Sequence, residues 1–118
     1  MGPRPDGFGV RRPLRFLAHK LELTEEQVVQ LARILDELKT ERAQASVDDR
    51  RTLTAFADAL GGDGFDAGKA STGATLRTES SDRVAKAVVR ALERMHALLR
   101  PDQRESLAYL IRTGVIGF

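Results

Sequence analysis

At 118 residues, with 31% charged, 42% hydrophobic and 5% aromatic side chains, the chain has the size of one domain and a thin aliphatic core. A formal net charge of +2 is too small to signal nucleic-acid or membrane binding. The absence of Cys excludes disulfides and thiol chemistry while leaving the compartment open.

Residues 1–12 read as a flexible N-terminal linker, because Gly and Pro in Met1-Gly2-Pro3-Arg4-Pro5-Asp6-Gly7 discourage any regular element. This start lacks the basic head, apolar middle and small-residue cleavage site of a secretion signal, and it leaves room for an upstream signal or anchor. No run approaches the roughly 20 apolar residues of a membrane span. A single helical domain is expected over 13–118. Pro13 suits the first position of a short helix, where its missing N–H costs nothing, and that helix runs to about Lys20, burying Leu14, Phe16, Leu17 and Leu21 in part.

The next helix has a marked start. Thr24 can accept from the backbone N–H of Gln27 while the Gln27 side chain reaches back to the Thr24 N–H, a reciprocal capping box. Glu25 and Glu26 in the first turn suit the positive end of the helix dipole. Val28, Leu31, Leu35 and Leu38 recur at spacings of three and four as one apolar stripe, with Glu25, Glu26, Arg33, Glu37 and Lys39 facing away. No Gly or Pro occurs between Glu25 and Leu60, and Val47, Leu53, Phe56, Ala57 and Leu60 are expected to continue the apolar face. Ser46-Val47-Asp48-Asp49 is the weakest point, where a kink or break would shorten a helix otherwise roughly 54 Å long.

Gly61-Gly62-Asp63-Gly64 ends that helix, and Asp66 is placed to cap the next, over residues 67–99. Its first half is poor in helix formers, with Gly68, Ser71, Thr72, Gly73, Thr75 and Thr78; its second half has a clean stripe of Val84, Val88, Ala91, Leu92, Met95 and Leu99. Pro101 starts a last short helix to Arg112 that buries Leu107, Leu110 and Ile111, and Gly114 terminates it. The fold class is therefore all-α: four helices in short, long, long, short order, the long pair forming an antiparallel hairpin joined by a Gly-rich turn. Such a hairpin leaves apolar surface that one chain does not cover, which points to a homodimer. The competing arrangement is a compact monomeric four-helix bundle with the long helix broken near Asp48.

No catalytic constellation emerges, and no enzymatic activity is expected. His19 and His96 are the only histidines, neither GxGxxG nor a P-loop occurs, and the adjacent carboxylates Glu25/Glu26 and Asp48/Asp49 point apart on a helix. There is also no helix-turn-helix with a basic recognition helix, so no nucleic-acid partner is expected.

Leu23-Thr24-Glu25-Glu26-Gln27 matches the LTxxQ pattern, and Leu99-Arg100-Pro101-Asp102-Gln103 looks like a second copy in which Arg100 replaces Thr. Between them, Gly64-Phe65-Asp66 with Ala67, Lys69 and Ala70 resembles the turn into a second long helix. On these residues the chain resembles the Spy/CpxP-like helical proteins over about 14–113. Leu23, Thr24, Gln27, Leu99, Pro101 and Gln103 are the motif and capping residues the resemblance singles out.

The resemblance implies a hairpin that dimerises into a cradle, usually in the periplasm. It further implies an ATP-independent chaperone or an envelope-stress-response protein that binds unfolded or partner polypeptide without a cofactor. Arg83, Lys86, Arg90 and Arg94 are the candidate client-binding side chains, supplying charge beside apolar contacts. The alternative within the same family is a periplasmic heavy-metal-sensing regulator of the CnrX or ZraP kind. His19 and His96 are its candidate ligands, but the residues four away from His19 are Arg15 and Leu23, and the adjacent Met95 and His96 lie about 100° apart around a helix. A transition metal wants three or more converging ligands, so no metal site is expected.

Overall fold

The computed structural model describes residues 11–118. Four α-helices follow one another: α1 (Arg11–Lys20), α2 (Glu25–Leu60), α3 (Ala67–Leu98) and α4 (Pro101–Arg112). No strand occurs among the described residues. The two long helices pack against each other as a helical hairpin, the all-α architecture expected from the sequence. Of the expected linker, residues 1–10 lie outside the described residues, while Arg11 and Arg12 belong to α1. Starting α1 two residues before Pro13 is still compatible with proline, since the N–H groups of the whole first turn lack intrahelical partners.

The helix ends follow from local chemistry. At the end of α1 the Glu22 N–H donates to the His19 carbonyl (3.3 Å) and the Leu23 N–H to the Ala18 carbonyl (3.0 Å), the paired bonds of a Schellman cap. That cap places Glu22 at φ 52°, a left-handed position usually given to glycine. Asp66 caps α3 by accepting from the Lys69 N–H at 3.0 Å. The Gly- and Thr-rich start of α3 is helical despite its composition, with the hydroxyls of Thr72 and Thr78 donating to the carbonyls of Gly68 (3.0 Å) and Ala74 (3.1 Å) one turn back. Gly114, at φ 82°, ends α4 as its type predicts.

The chain forms two compact units. One, here the motif unit, comprises residues 11–39 and 88–118; the other, the turn unit, comprises Thr40–Ala87. The core of the motif unit is aliphatic: Leu17 and Leu21 at the end of α1, Leu31, Ile34 and Leu38 from α2, Ala91, Met95 and Leu99 from α3 and its end, and Leu107 and Leu110 from α4 are all buried. Each fully buried Leu or Met contributes roughly 1.5–3 kcal/mol relative to exposure. The expected stripes hold with two changes: Ile34 is fully enclosed beside half-buried Leu35, and Leu92 lies on the outside.

In the turn unit the expected apolar face is overturned. Val47, Leu53, Ala57 and Leu60 are exposed and Phe56 is only half-buried, while Asp48, Thr52 and Ala59 point inward. The facing surface of α3 explains this, since it buries Gly73, Ser80 and Ala87, and helices that meet through such small residues have no room for Leu or Val between them. A Cβ added at Gly73 would sit 2.8 Å from Phe56 Cε1 and 3.1 Å from the Ala55 Cβ.

Nor is α2 broken near Asp48: it runs without interruption from Glu25 to Leu60. The Asp48 carboxylate, 2% exposed, is held by Gln44 Nε2 (3.1 Å) and by the Arg83 guanidinium, and so does not compete with the α2 backbone.

Candidate functional site

The two motif copies meet inside the motif unit. Thr24 and Gln27 form the reciprocal box read from the sequence: the Gln27 N–H donates to Thr24 Oγ1 (3.1 Å) and the Thr24 N–H to Gln27 Oε1 (2.9 Å). The second copy makes half of it. The Arg100 N–H donates to Gln103 Oε1 (2.9 Å), but a guanidinium carries only donors and returns nothing to the helix N-terminus. It turns outward to Asp102, with Nε–Oδ1 and Nη2–Oδ2 both 3.2 Å. That contact, above all its hydrogen bond, holds the Asp102 carboxyl below its usual range. The pair therefore favours the fold above the carboxylate range, and its contribution fades as acidification protonates Asp102.

What local reading does not reveal is that the two glutamine amides grip each other. Gln27 Nε2 donates to Gln103 Oε1 (2.8 Å) and Gln103 Nε2 donates to Gln27 Oε1 (3.1 Å). The remaining hydrogen of Gln27 goes to the Leu98 carbonyl at the end of α3 (2.9 Å), and that of Gln103 to the carbonyls of Leu21 (3.0 Å) and Glu22 (3.3 Å) after α1. The orientation of both amides is fixed by chemistry, because each Oε1 faces a backbone N–H that can only donate. Every hydrogen-bonding position of both side chains is used, and both residues are buried, Gln103 to 1% exposure. Two side chains thereby close four helix ends: the starts of α2 and α4 and the ends of α1 and α3.

Leu99 is buried and Leu23 half-buried beside this clasp, and Pro101 occupies the first turn of α4. All six motif residues thus have structural work, and the two glutamines at its centre are shielded from solvent. The constant offset of the two motif copies was visible in the sequence; their meeting in space was not.

The basic residues stand differently. Arg83 is paired with Asp48 and Arg94 with Glu37, each joining α3 to α2, while Lys86 pairs with Asp82 one turn back (2.9 Å). Arg90 is exposed and without an ion-pair partner among the described residues. Read from the sequence, all four are candidates to supply charge to a client; the acidic partners of Arg83 and Arg94 lie on α2, 35 and 57 residues away. Spacing held a signal for Asp48, since the alternation of three and four that starts at Leu31 runs on through Ile34, Leu38, Glu41, Ala45, Asp48, Thr52, Ala55 and Ala59, none of them exposed.

His19 and His96 are both exposed. The His96 carbonyl accepts from Arg104 Nε (2.8 Å), and among the described residues no group of three or more His, Asp or Glu converges on one point. No helix of the described residues is long and apolar enough to cross a membrane.

A family model described as "LTXXQ motif family protein" matches residues 10–110, a span that takes in both motif copies and all four helices up to Leu110. No curated protein and no solved structure matches the chain.

Proposed function

The chain belongs to the LTXXQ motif family, and we propose from this membership that it is an ATP-independent periplasmic chaperone or envelope-stress-response protein, acting as a homodimer on unfolded or partner polypeptide and catalysing no reaction. One observation supports this reading most: the turn unit carries its large apolar side chains on the outside. Leu53 is 52%, Phe65 65% and Leu60 75% exposed, and Val47 is exposed as well. Side chains of this kind bind flexible apolar segments without a shaped pocket. Of the four candidate cations, Arg90, in the motif unit, has no ion-pair partner among the described residues, whereas Arg83, Lys86 and Arg94 would have to exchange existing partners.

The test is light scattering of a reduced, unfolded client without ATP. Near-stoichiometric protein should slow aggregation, and Leu53→Ser with Leu60→Ser should weaken the effect several-fold while leaving the helical signal unchanged. No slowing at several-fold excess overturns the chaperone reading and leaves partner binding. The metal-responsive alternative would need ligands beyond His19 and His96; calorimetric titration of metal-stripped protein with Zn²⁺, Ni²⁺ and Co²⁺ decides it, a stoichiometric site lost on His19→Ala or His96→Ala being the result in its favour.

A further inference from the structure

Each unit is held together internally by a different kind of contact. In the motif unit, aliphatic burial surrounds a fully satisfied amide clasp. In the turn unit the buried apolar side chains are Ala59 and Ala87 alone among the described residues, and apart from Gly73 the rest of the buried seam is polar: Asp48, Thr52 and Ser80. The Thr52 hydroxyl has no hydrogen-bond partner at all. Asp48 is charged and enclosed, and its cationic partner Arg83 stands half in water. Burying a carboxylate costs desolvation that its ion pair only roughly offsets, and an unpaired buried hydroxyl is a net loss. The other cross-helix polar contacts of this unit are Arg77 to Asp49 at the surface (3.6 Å) and Arg77 over the Phe56 ring (5.3 Å), beside the close approach of Phe56 and Ala55 to Gly73.

We propose that the turn unit is built to open on its own, its stretches of α2 and α3 parting along the Asp48–Thr52–Ser80 seam while the motif unit stays folded. Separation releases Thr52 and Asp48 to water, where both are better solvated, and gives up no fully buried apolar side chain larger than alanine. It also turns the half-buried Phe56, Leu76 and Val84 outward, enlarging the apolar surface already formed by Leu53 and Leu60. Sub-global opening of this kind belongs to regions poor in buried apolar contacts. The device is a property of the fold and does not depend on what the protein binds.

Residue-resolved amide exchange on the intact protein tests it, comparing residues 48–56 and 76–84 with residues 28–38 and 91–98, stretches that lie inside α2 and α3. The first set should exchange at least about tenfold faster, allowing for intrinsic rates. Arg83→Met leaves Asp48 buried with Gln44 as its remaining partner and should speed exchange of the first set by about tenfold without moving the second. Thr52→Val fills the same space without the stranded hydroxyl and should slow the first set by about tenfold. Equal protection of both sets in the unaltered protein overturns the proposal. So does an Arg83→Met effect shared by both sets, or a Thr52→Val variant whose turn unit exchanges no more slowly.

Discussion

Glu22 shows how much the motif unit asks of single residues. Its left-handed φ of 52° turns the chain from α1 into α2 and aims the Leu21 and Glu22 carbonyls at Gln103. An exposed Glu meets a steric cost there that glycine does not, of about 1 kcal/mol. Glu22→Gly should therefore raise stability by about 0.5–1 kcal/mol in urea unfolding, part of the relief being lost to the greater freedom of an unfolded glycine. A loss of stability would mean that the Glu side chain itself matters. Gln27 and Gln103 make the opposite case, since each is irreplaceable only while the other is present. Removing one amide strands its partner and a helix-end carbonyl in a buried place, so Gln27→Ala or Gln103→Ala should each cost about 3 kcal/mol. The double variant should cost clearly less than the sum, and additive costs would show that the two amides do not act as a unit.

Among the elements, the α2–α3 pair in the turn unit depends on close approach. Alanine is ordinarily about 1 kcal/mol better than glycine inside a helix. At Gly73, however, its methyl would press on the ring of Phe56 and the methyl of Ala55. Gly73→Ala should therefore destabilise by about 1–3 kcal/mol, against the gain that propensity alone predicts. Circular-dichroism melts of Gly73→Ala beside Gly68→Ala separate the two effects, because a methyl at Gly68 meets nothing closer than Asp66 Oδ1 at 3.4 Å. Destabilisation confined to the first variant locates the close contact; two stabilised variants would mean that the helices do not meet at Gly73. The polar seam next to it and the outward apolar row have one cause, namely that small residues on α3 admit only small or polar partners from α2.

For the molecule as a whole, the proposed homodimer needs a surface other than the client-binding side chains Leu53 and Leu60; Val89 and Leu92, about one turn apart on α3 and 64% and 38% exposed, are apolar side chains a second copy would cover. Sedimentation equilibrium should show a reversible dimer, and Val89→Ser with Leu92→Ser should weaken it by at least about tenfold in dissociation constant, each substitution removing roughly 1–2 kcal/mol of buried apolar area. The variant should melt within about 1 kcal/mol of the unaltered chain at concentrations where both are monomeric. A dimer indifferent to both substitutions would place its interface elsewhere.

The sequence by itself determined the four helices, their order, the glycine turn, the Thr24–Gln27 box and the Asp66 cap, because each of these is settled by residues within one turn of each other. It also determined much of what fills the motif unit, where apolar spacing and burial agree except at Ile34 and Leu92. Tertiary structure decided the rest. Whether Gln103 meets Gln27 depends on how four helix ends are brought together across 76 residues of chain, which no local spacing encodes. Whether Leu53 or Thr52 faces inward depends on the residues opposite, and Gly73, Ser80 and Ala87 lie on another helix. A helix offers several possible faces to the core, and the one buried is the one whose side chains fit the space the neighbouring helix leaves.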